Sequence, residues 1–180
     1  MVEFMVKSYI IHRKLSPKKL NFVIITVSTS KYMLKSSGKE VKDLSGDIIT
    51  FLLKKAGYKI LDRQLIPDNS KVIRRTILKY LKHKDVDVLL LTGGTGITRN
   101  DVSVEVVEKL LQKKLPGFGE ILRKLSYEKI GSAAILTRAT AGVVNGKVIF
   151  CLPGSPDAVK LAVKKLIIPE APHIVKHAKE

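Results

Sequence analysis

The stretch Val86–Asp101, VDVLLLTGGTGITRND, decides the fold. Its first six residues form a strongly apolar run, which is typical of a strand buried on both faces of a sheet. The glycine-rich segment Thr92–Asp101 follows without a break, and Val104, Val107 and Leu111 then recur on one face of a helix. The stretch therefore predicts a central strand, a glycine loop and a helix in direct succession.

Strands and helices alternate on both sides of this unit. The β-branched run Phe22–Val27 predicts a second buried strand, and Tyr58–Asp62 predicts a third. The pair Asn145-Gly146 is typical of a two-residue hairpin turn. It joins predicted strands at 143–144 and 147–152. The polar stretch 28–44 predicts a mobile loop around Ser36, Ser37 and Gly38, and the other periodic segments predict helices over 48–56, 73–81, 117–126, 158–166 and 169–180.

This alternation predicts an α/β fold. We expect a three-layer sandwich with a mostly parallel sheet covered on both faces and one antiparallel edge strand supplied by the hairpin. A chain of 180 residues is typical of one domain. We expect that domain to span 21–180 and to follow a basic N-terminal arm, 1–20.

Composition narrows the class of protein. The apolar fraction of 45% is that of a globular protein, and no run approaches the ~18 apolar residues of a membrane span. The single cysteine, Cys151, lies in an apolar run and is expected to be a buried thiol in a reducing compartment. With no signal-peptide pattern at the N-terminus, the expected location is the cytoplasm.

The net charge of +17 favours polyanionic partners. Nucleic acid, a nucleotide and a phosphorylated metabolite all fit that description. The chain has only 6% aromatic residues and lacks an RNA-binding signature. Both observations argue against nucleic acid.

Four loops leave predicted strands at one edge of the sheet, where open α/β sheets bind their ligands. They are 28–46, 65–70, 92–101 and 153–155. In the third, Gly93, Gly94 and Gly96 permit close approach of a ligand, and backbone amides before a helix favour an anion. The loop is not a P-loop, and Arg99 replaces the third glycine of the dinucleotide fingerprint. A tight turn without a ligand stays an alternative interpretation.

Other polar residues at this edge have two interpretations each. Asp101 suits the first turn of the helix after the loop, and Asp68 suits the N-cap of the helix that begins near Ser70. Together they also suit magnesium on a polyphosphate. Ser155 is either an N-cap or a ligand contact. The histidines do not show zinc spacing, because His173 and His177 lack a third ligand nearby.

Several segments together match one family. They are LIPD (65–68), LLLTGGTGITRND (89–101), PGFGE (116–120), Arg123, Ser126, Ile130-Gly131, Thr137-Arg138, Ala141-Gly142 and LPGS (152–155). On these residues the chain, over about 21–166, resembles the MoaB/MogA family of molybdenum-cofactor biosynthesis proteins. These are the molybdopterin adenylyltransferases, which are related to a domain of gephyrin. The PGFGE segment separates the chain from the competence-damage proteins, which share a similar glycine loop.

The resemblance implies a molybdopterin-binding fold and a nucleotidyl transfer. The terminal phosphate of molybdopterin attacks the α-phosphorus of Mg-ATP and gives adenylyl-molybdopterin and pyrophosphate. Asp68 and Asp101 match the catalytic pair and are the implied Mg²⁺ ligands. No tightly bound cofactor is expected. The implied contacts to molybdopterin and ATP are Ser28, Asp43, Ser45, Gly46, Thr92, Gly93, Gly94, Thr95, Gly96, Ser126, Arg138, Pro153, Gly154 and Ser155.

The resemblance also implies partners. We expect a homotrimer, with a hexamer as a further possibility, and contacts with other enzymes of molybdenum-cofactor synthesis. Two positions depart from the family pattern: Thr29 replaces Asp or Asn, and Thr137 replaces Ser. The main alternative function is a molybdopterin carrier that does not catalyse the transfer, because a shared pocket does not guarantee turnover.

Overall fold

The computed structural model describes residues 16–180, and the predicted alternation of strands and helices is confirmed. The strands are β1 (Asn21–Val27), β2 (Lys59–Ile66), β3 (Val88–Thr92), β4 (Lys113–Lys114), β5 (Thr140–Val144) and β6 (Lys147–Leu152). The helices are α1 (Thr29–Ser36), α2 (Leu44–Lys55), α3 (Ser70–Leu81), α4 (Ser103–Glu108), α5 (Pro116–Ile130), α6 (Pro156–Ala162) and α7 (Ile168–Lys179). A 3₁₀ segment, Gly131–Leu136, follows α5, and π-helical backbone at Val163–Ile167 joins α6 to α7.

One six-stranded sheet organises these elements, in the order β2-β1-β3-β6-β5-β4. The first four strands are parallel, β5 runs against β6, and β4 runs against β5. The predicted mostly parallel sheet is thus confirmed, and β5 is its reversed strand. The parallel strands end together at Val27, Ile66, Thr92 and Leu152, so the loops that follow them share one edge.

Alternate residues of the central strands enter two different cores. Phe22 and Ile24 pack on one side with α2, α5, α6 and α7. Val23 and Ile25 pack on the other side with α3 and α4. All four side chains are fully buried, which is why the central strands read as continuous apolar runs.

The predicted mobile loop is wrong over its first half. Residues 29–36 form helix α1, which has Ser28 as its N-cap and no buried residue. Because α1 buries nothing, its sequence carries no apolar stripe by which a helix can be recognised. The chain then turns at Gly38, whose φ is +76°.

Other element boundaries differ by a few residues. Strand β2 continues past Asp62, whose carboxylate accepts hydrogen bonds from the Tyr80 hydroxyl and Gln64 Nε2. Helix α4 ends at Glu108 rather than reaching Leu111, because the chain turns there toward the short edge strand β4. The hairpin prediction is confirmed: Asn145 and Gly146 have positive φ angles of 50° and 71°.

Two further predictions concern the basic N-terminal arm and the absence of a membrane span. Most of the predicted basic arm, residues 1–15, lies outside the described residues, whereas Leu20 at its end is buried in the core. Within residues 16–180, no helix is long and apolar enough to cross a membrane.

Candidate active site

The glycine loop is joined to the turn after β6. The Gly93 amide donates to the Leu152 carbonyl at 3.1 Å, and the Thr92 hydroxyl donates to the Pro153 carbonyl at 2.9 Å. Gly93 has a φ of +96°, and a Cβ there would overlap the Val27 carbonyl oxygen. Only glycine can therefore bring the ends of these three strands so close.

The predicted catalytic aspartates both lie against this loop. A Cβ on Gly94 would lie 2.6 Å from Asp68 Oδ2, and a Cβ on Gly96 would lie 2.7 Å from Asp101 Oδ2. Asp68 also accepts a long hydrogen bond, 3.4 Å, from the Val102 amide. Asp101 accepts from the Thr98 amide at 3.0 Å and from the Thr98 hydroxyl at 2.6 Å. The structure thus brings the two carboxylates to one loop.

The helix-capping interpretations of these aspartates are wrong. Asn69, not Asp68, is the N-cap of α3, and its side chain accepts from the amides of Lys71 and Val72. Asp101 lies two residues before α4 begins and closes a turn of the loop with Thr98. Neither carboxylate therefore caps the helix that follows it in the sequence.

The two carboxyls have opposite pKa shifts. Burial raises the pKa of Asp68, and the nearby charges of Asp101 and Glu105 raise it further, against the opposing effect of the Val102 amide. The Thr98 hydroxyl, whose hydrogen bond outweighs partial burial, lowers the pKa of Asp101. Diverging pKa values in neighbouring carboxyls are characteristic of functional sites.

Ser103 completes this part of the site. Its side chain is fully buried, and its Oγ is the one buried side-chain polar atom without a hydrogen-bond partner among residues 16–180. The amide of the same residue donates to the Gly94 carbonyl, and a Cβ on Gly94 would overlap the Ser103 Oγ. A buried hydroxyl without a partner in the protein can be satisfied by a water, an ion or a polar ligand.

A second polar network lies beneath the loop before α2. Asp43 is the N-cap of α2 and accepts hydrogen bonds from Thr26 Oγ1 at 2.7 Å, Arg63 Nη2 at 2.8 Å and the Gly46 amide at 3.2 Å. Burial alone would raise the pKa of Asp43, but these hydrogen bonds, that of Arg63 foremost, hold it below its usual value. A Cβ on Gly46 would lie 2.5 Å from Arg63 Nη2, so Gly46 serves the packing of this network.

Eight of the fourteen predicted substrate contacts line two cavities, whereas Asp43 lines a separate cavity with Asp47 and Arg63. A cavity of about 120 Å³ is lined by Ser28, Ser45, Thr92, Gly93 and Gly154, together with Thr26, Val27 and Lys31. A cavity of about 340 Å³ is lined by Ser126, Pro153 and Ser155, together with Lys129, Ile130, Ala133, Leu136, Thr137, Asp157, Ala158 and Leu161.

The turn after β6 contributes to both cavities. Ser45 Oγ donates to the Gly154 carbonyl at 2.7 Å and so anchors this turn to the start of α2. Ser155 occupies the N-cap position of α6, but its side chain makes no capping hydrogen bond and lines the larger cavity. Ser155 thus occupies the N-cap position without capping the helix through its side chain, and its role as a ligand contact stays a prediction.

The remaining predicted contacts surround the glycine loop. Thr95 is buried within it. Arg138 donates from Nη1 to the Gly96 carbonyl at 2.8 Å and pairs through Nη2 with Glu105. Arg138 therefore supports the loop by holding its backbone.

Sequence reasoning missed three residues of the site. Thr29, noted only as a departure from the family pattern, accepts a hydrogen bond through Oγ1 from the Asp68 amide at 2.9 Å. Lys31 lines the smaller cavity, with its Nζ 3.8 Å from Asp43 Oδ1. Ser103 stands two positions after Asp101. Only their nearness to motif residues could have indicated them.

The fold and the site together define a class of protein. A parallel sheet with helices on both faces carries a glycine loop, two carboxylates and polar cavities outside the carboxyl ends of its strands, which is where α/β proteins of this kind bind ligands. Residues 23–173 match the family described as "Probable molybdopterin binding domain". The chain belongs to this family, and the resemblance inferred from its motifs is confirmed.

Individual relatives are similar to this protein over nearly the whole chain. The chain is 43% identical over 164 residues to a molybdenum cofactor biosynthesis protein B of Bacillus cereus, which covers 91% of this chain and 93% of that protein. It is 41% identical over 163 residues to a probable molybdopterin adenylyltransferase of Methanocaldococcus jannaschii, covering 91% and 96%. The crystal structure of a tungsten cofactor synthesizing protein MoaB from Pyrococcus furiosus superposes with a TM-score of 0.80 at 39% identity, covering 92% and 100%.

Replacement of Gly94 by alanine should destabilise the loop. Gly94 has a φ of +63°, and the new Cβ would overlap Asp68 and Ser103. We expect a loss of about 1–3 kcal/mol in the free energy of unfolding, measured by urea denaturation. Gly117→Ala is the matched control, because a Cβ there meets open space in the first turn of α5. It should be neutral or stabilising, and equal losses in both variants would contradict the argument.

Stability should depend on pH through Asp43. Its folded pKa lies below the usual 3.8, so the ionised carboxyl stabilises the fold above that value. This contribution is lost as the pH falls through the folded pKa. Asp43→Asn should therefore be less stable than the parent near neutral pH, and the difference in unfolding free energy should shrink below about pH 4.

The matched control for this prediction is Asp47→Asn. Asp47 pairs with the same Arg63 at 2.6 Å, but its side chain is 53% exposed, and exposed ion pairs contribute little. At every pH, Asp47→Asn should therefore lower the free energy of unfolding by less than Asp43→Asn does. A difference for Asp43→Asn that stayed constant into acid would show that its carboxyl does not titrate as described.

Proposed function

We propose that this protein is a molybdopterin adenylyltransferase of molybdenum-cofactor biosynthesis. It transfers adenylate from Mg-ATP to the terminal phosphate of molybdopterin and releases pyrophosphate. Membership of the molybdopterin-binding family and the name of the M. jannaschii relative support this assignment. The observation that carries it is the placement of Asp68 and Asp101 against one glycine loop at the ligand-binding edge of the sheet.

The residues present fit a magnesium ion shared with a polyphosphate. Mg²⁺ is usually held by one or two carboxylates together with substrate phosphates and water. Asp68 and Asp101 would hold it, and the unsatisfied Ser103 hydroxyl beside Asp68 adds an oxygen. Among residues 16–180 no group of three or more His, Cys, Asp and Glu side chains is arranged around one metal, so substrate oxygens complete the shell. When bound, the ion neutralises charge on the phosphates.

The two cavities suit different parts of the substrates. The larger one combines apolar Ile130, Leu136 and Leu161 with the polar side chains of Ser126 and Asp157, as a planar ring with polar edges requires. The smaller one has the Ser28 hydroxyl and the ammonium of Lys31, which suit phosphate oxygens. The Pro153–Ser155 turn lies between them. In this arrangement the reacting phosphates meet at the glycine loop.

The transfer needs positioning rather than a protein nucleophile. An oxygen of the molybdopterin phosphate forms a bond to the α-phosphorus, and the bond from that phosphorus to the oxygen bridging to the β-phosphorus breaks. Arg138 holds the loop in place through the Gly96 carbonyl, and Thr29 holds the backbone of Asp68.

Removal of either aspartate should stop the transfer. For Asp68→Ala and Asp101→Ala we expect pyrophosphate release from molybdopterin and Mg-ATP to fall by about 100-fold or more. The fold should survive, because neither carboxylate caps a helix or lies in the core. Asp85→Asn is the matched control: Asp85 is exposed at the opposite edge of the sheet, before β3.

The same assay separates the enzyme from a carrier. If the parent protein binds molybdopterin but releases no pyrophosphate, the protein is a carrier. Near-parental rates in either alanine variant would remove that residue from the catalytic pair. Steep, salt-dependent binding of nucleic acid without any response to molybdopterin would overturn the assignment altogether.

We also propose that the protein works in the cytoplasm as a homotrimer. The end of α5 and the following 3₁₀ segment present an exposed apolar surface of Tyr127 and Ile135, with exposures of 64% and 84%, outside the larger cavity. Exposed apolar groups gathered in one place are typical of a protein interface. A second copy of the chain is the occupant that the family resemblance implies.

A charge in this surface should dissociate the oligomer. We expect Ile135→Asp to convert a trimer into a monomer in sedimentation velocity, because the carboxylate would be buried unpaired at the interface. Met33→Asp is the control, since Met33 is 62% exposed on α1 and lies outside this surface. A parent monomer, or dissociation by Met33→Asp alone, would contradict the proposed interface.

A further inference from the structure

Two histidines on helix α7 face each other. His173 and His177 are one turn apart, and their Nε2 atoms are separated by 3.0 Å. The ring centroids lie farther apart, at 4.8 Å, with the planes inclined by 61°. The rings therefore approach each other through their Nε2 edges and do not stack.

A carboxylate lies at the other nitrogen of each ring. His177 Nδ1 is 2.8 Å from Glu180 Oε2, and His173 Nδ1 is 3.6 Å from Glu170 Oε2. Glu180 also pairs with Lys176 through its other oxygen, at 3.3 Å. The Glu180 carboxylate at His177 Nδ1 favours the tautomer that carries its proton there and leaves His177 Nε2 as an acceptor. His173 Nε2 then donates the hydrogen bond between the rings, and a metal ion that replaces this proton would meet both nitrogens.

We propose that His173 and His177 bind one divalent transition-metal ion through their Nε2 atoms. Metal–imidazole bonds are about 2.0–2.1 Å long, so a separation of 3.0 Å corresponds to an N–metal–N angle of roughly 91–97°. Such an angle suits the tetragonal geometry of Cu²⁺ or Ni²⁺ rather than tetrahedral zinc. Glu180 orients the His177 ring through Nδ1.

This site is separate from the proposed active site. The C-terminal end of α7 is tied to the opposite edge of the sheet, where Lys179 Nζ lies 2.6 Å from Asp87 Oδ1 just before β3 begins. Its ligands are nitrogens, which suit transition metals, whereas the aspartates at the glycine loop are oxygen ligands suited to Mg²⁺. The metal site therefore stands whether or not the adenylyltransferase assignment holds.

The test uses the full chain and the metal salts alone. Calorimetric titration with CuCl₂ in a non-coordinating buffer should give one ion per chain, and electron paramagnetic resonance should show coupling to two nitrogens. His177→Gln and His173→Gln should each weaken Cu²⁺ binding by about tenfold or more, and Glu180→Gln should weaken it by about tenfold. His83→Gln, an exposed histidine elsewhere, is the matched control and should leave the affinity unchanged.

Several outcomes would overturn the proposal. These are coupling to a single nitrogen, an affinity equal to the parent's in the His173→Gln or His177→Gln variant, or a loss of the same size in the His83→Gln variant. Tighter binding of Zn²⁺ than of Cu²⁺ or Ni²⁺ would contradict the tetragonal geometry. Circular dichroism of each variant checks that α7 is intact, so a loss of binding reports on the ligands.

Discussion

The architecture of the site depends on how closely three strand ends approach at Gly93. Its amide is bonded to the carbonyl of Leu152, and there is no room for a side chain between Gly93 and the Val27 carbonyl. Gly154 continues this close approach, since a Cβ on it would lie 3.2 Å from the Gly93 Cα. The loops that follow two neighbouring strands are thereby held as one surface, and the proposed substrate contacts on these two loops are positioned relative to it.

Neighbouring loops are attached to this surface, or to one another, by polar contacts. Ser45 binds the Gly154 carbonyl, Thr29 binds the Asp68 amide, and Arg138 binds the Gly96 carbonyl. These contacts come from residues distant in sequence, so the pocket exists only when the sheet is assembled. The pattern explains how short polar side chains at strand ends can set the geometry of a large ligand site without a rigid metal or disulfide.

Much of this arrangement could be predicted from the sequence. The apolar run before the glycine loop and the Asn145-Gly146 turn identified the sheet, because burial and positive φ leave clear patterns. Asp68 was found through its motif, but a local interpretation gave it a capping role that Asn69 holds. Ser103 carries no local signal, since its importance arises from a hydroxyl left unsatisfied in the folded interior. Such tertiary effects lie beyond periodicity and spacing.

Helix α1 has a consequence for the dynamics of the site. It has no buried residue, and it is attached at its start, where the Ser28 amide donates to the Ile66 carbonyl and Thr29 accepts from Asp68. Segments with little apolar burial open at a small fraction of the global unfolding free energy. Ser28 and Lys31 therefore belong to a part of the smaller cavity that can exchange with solvent by local unfolding, while the sheet beneath stays folded.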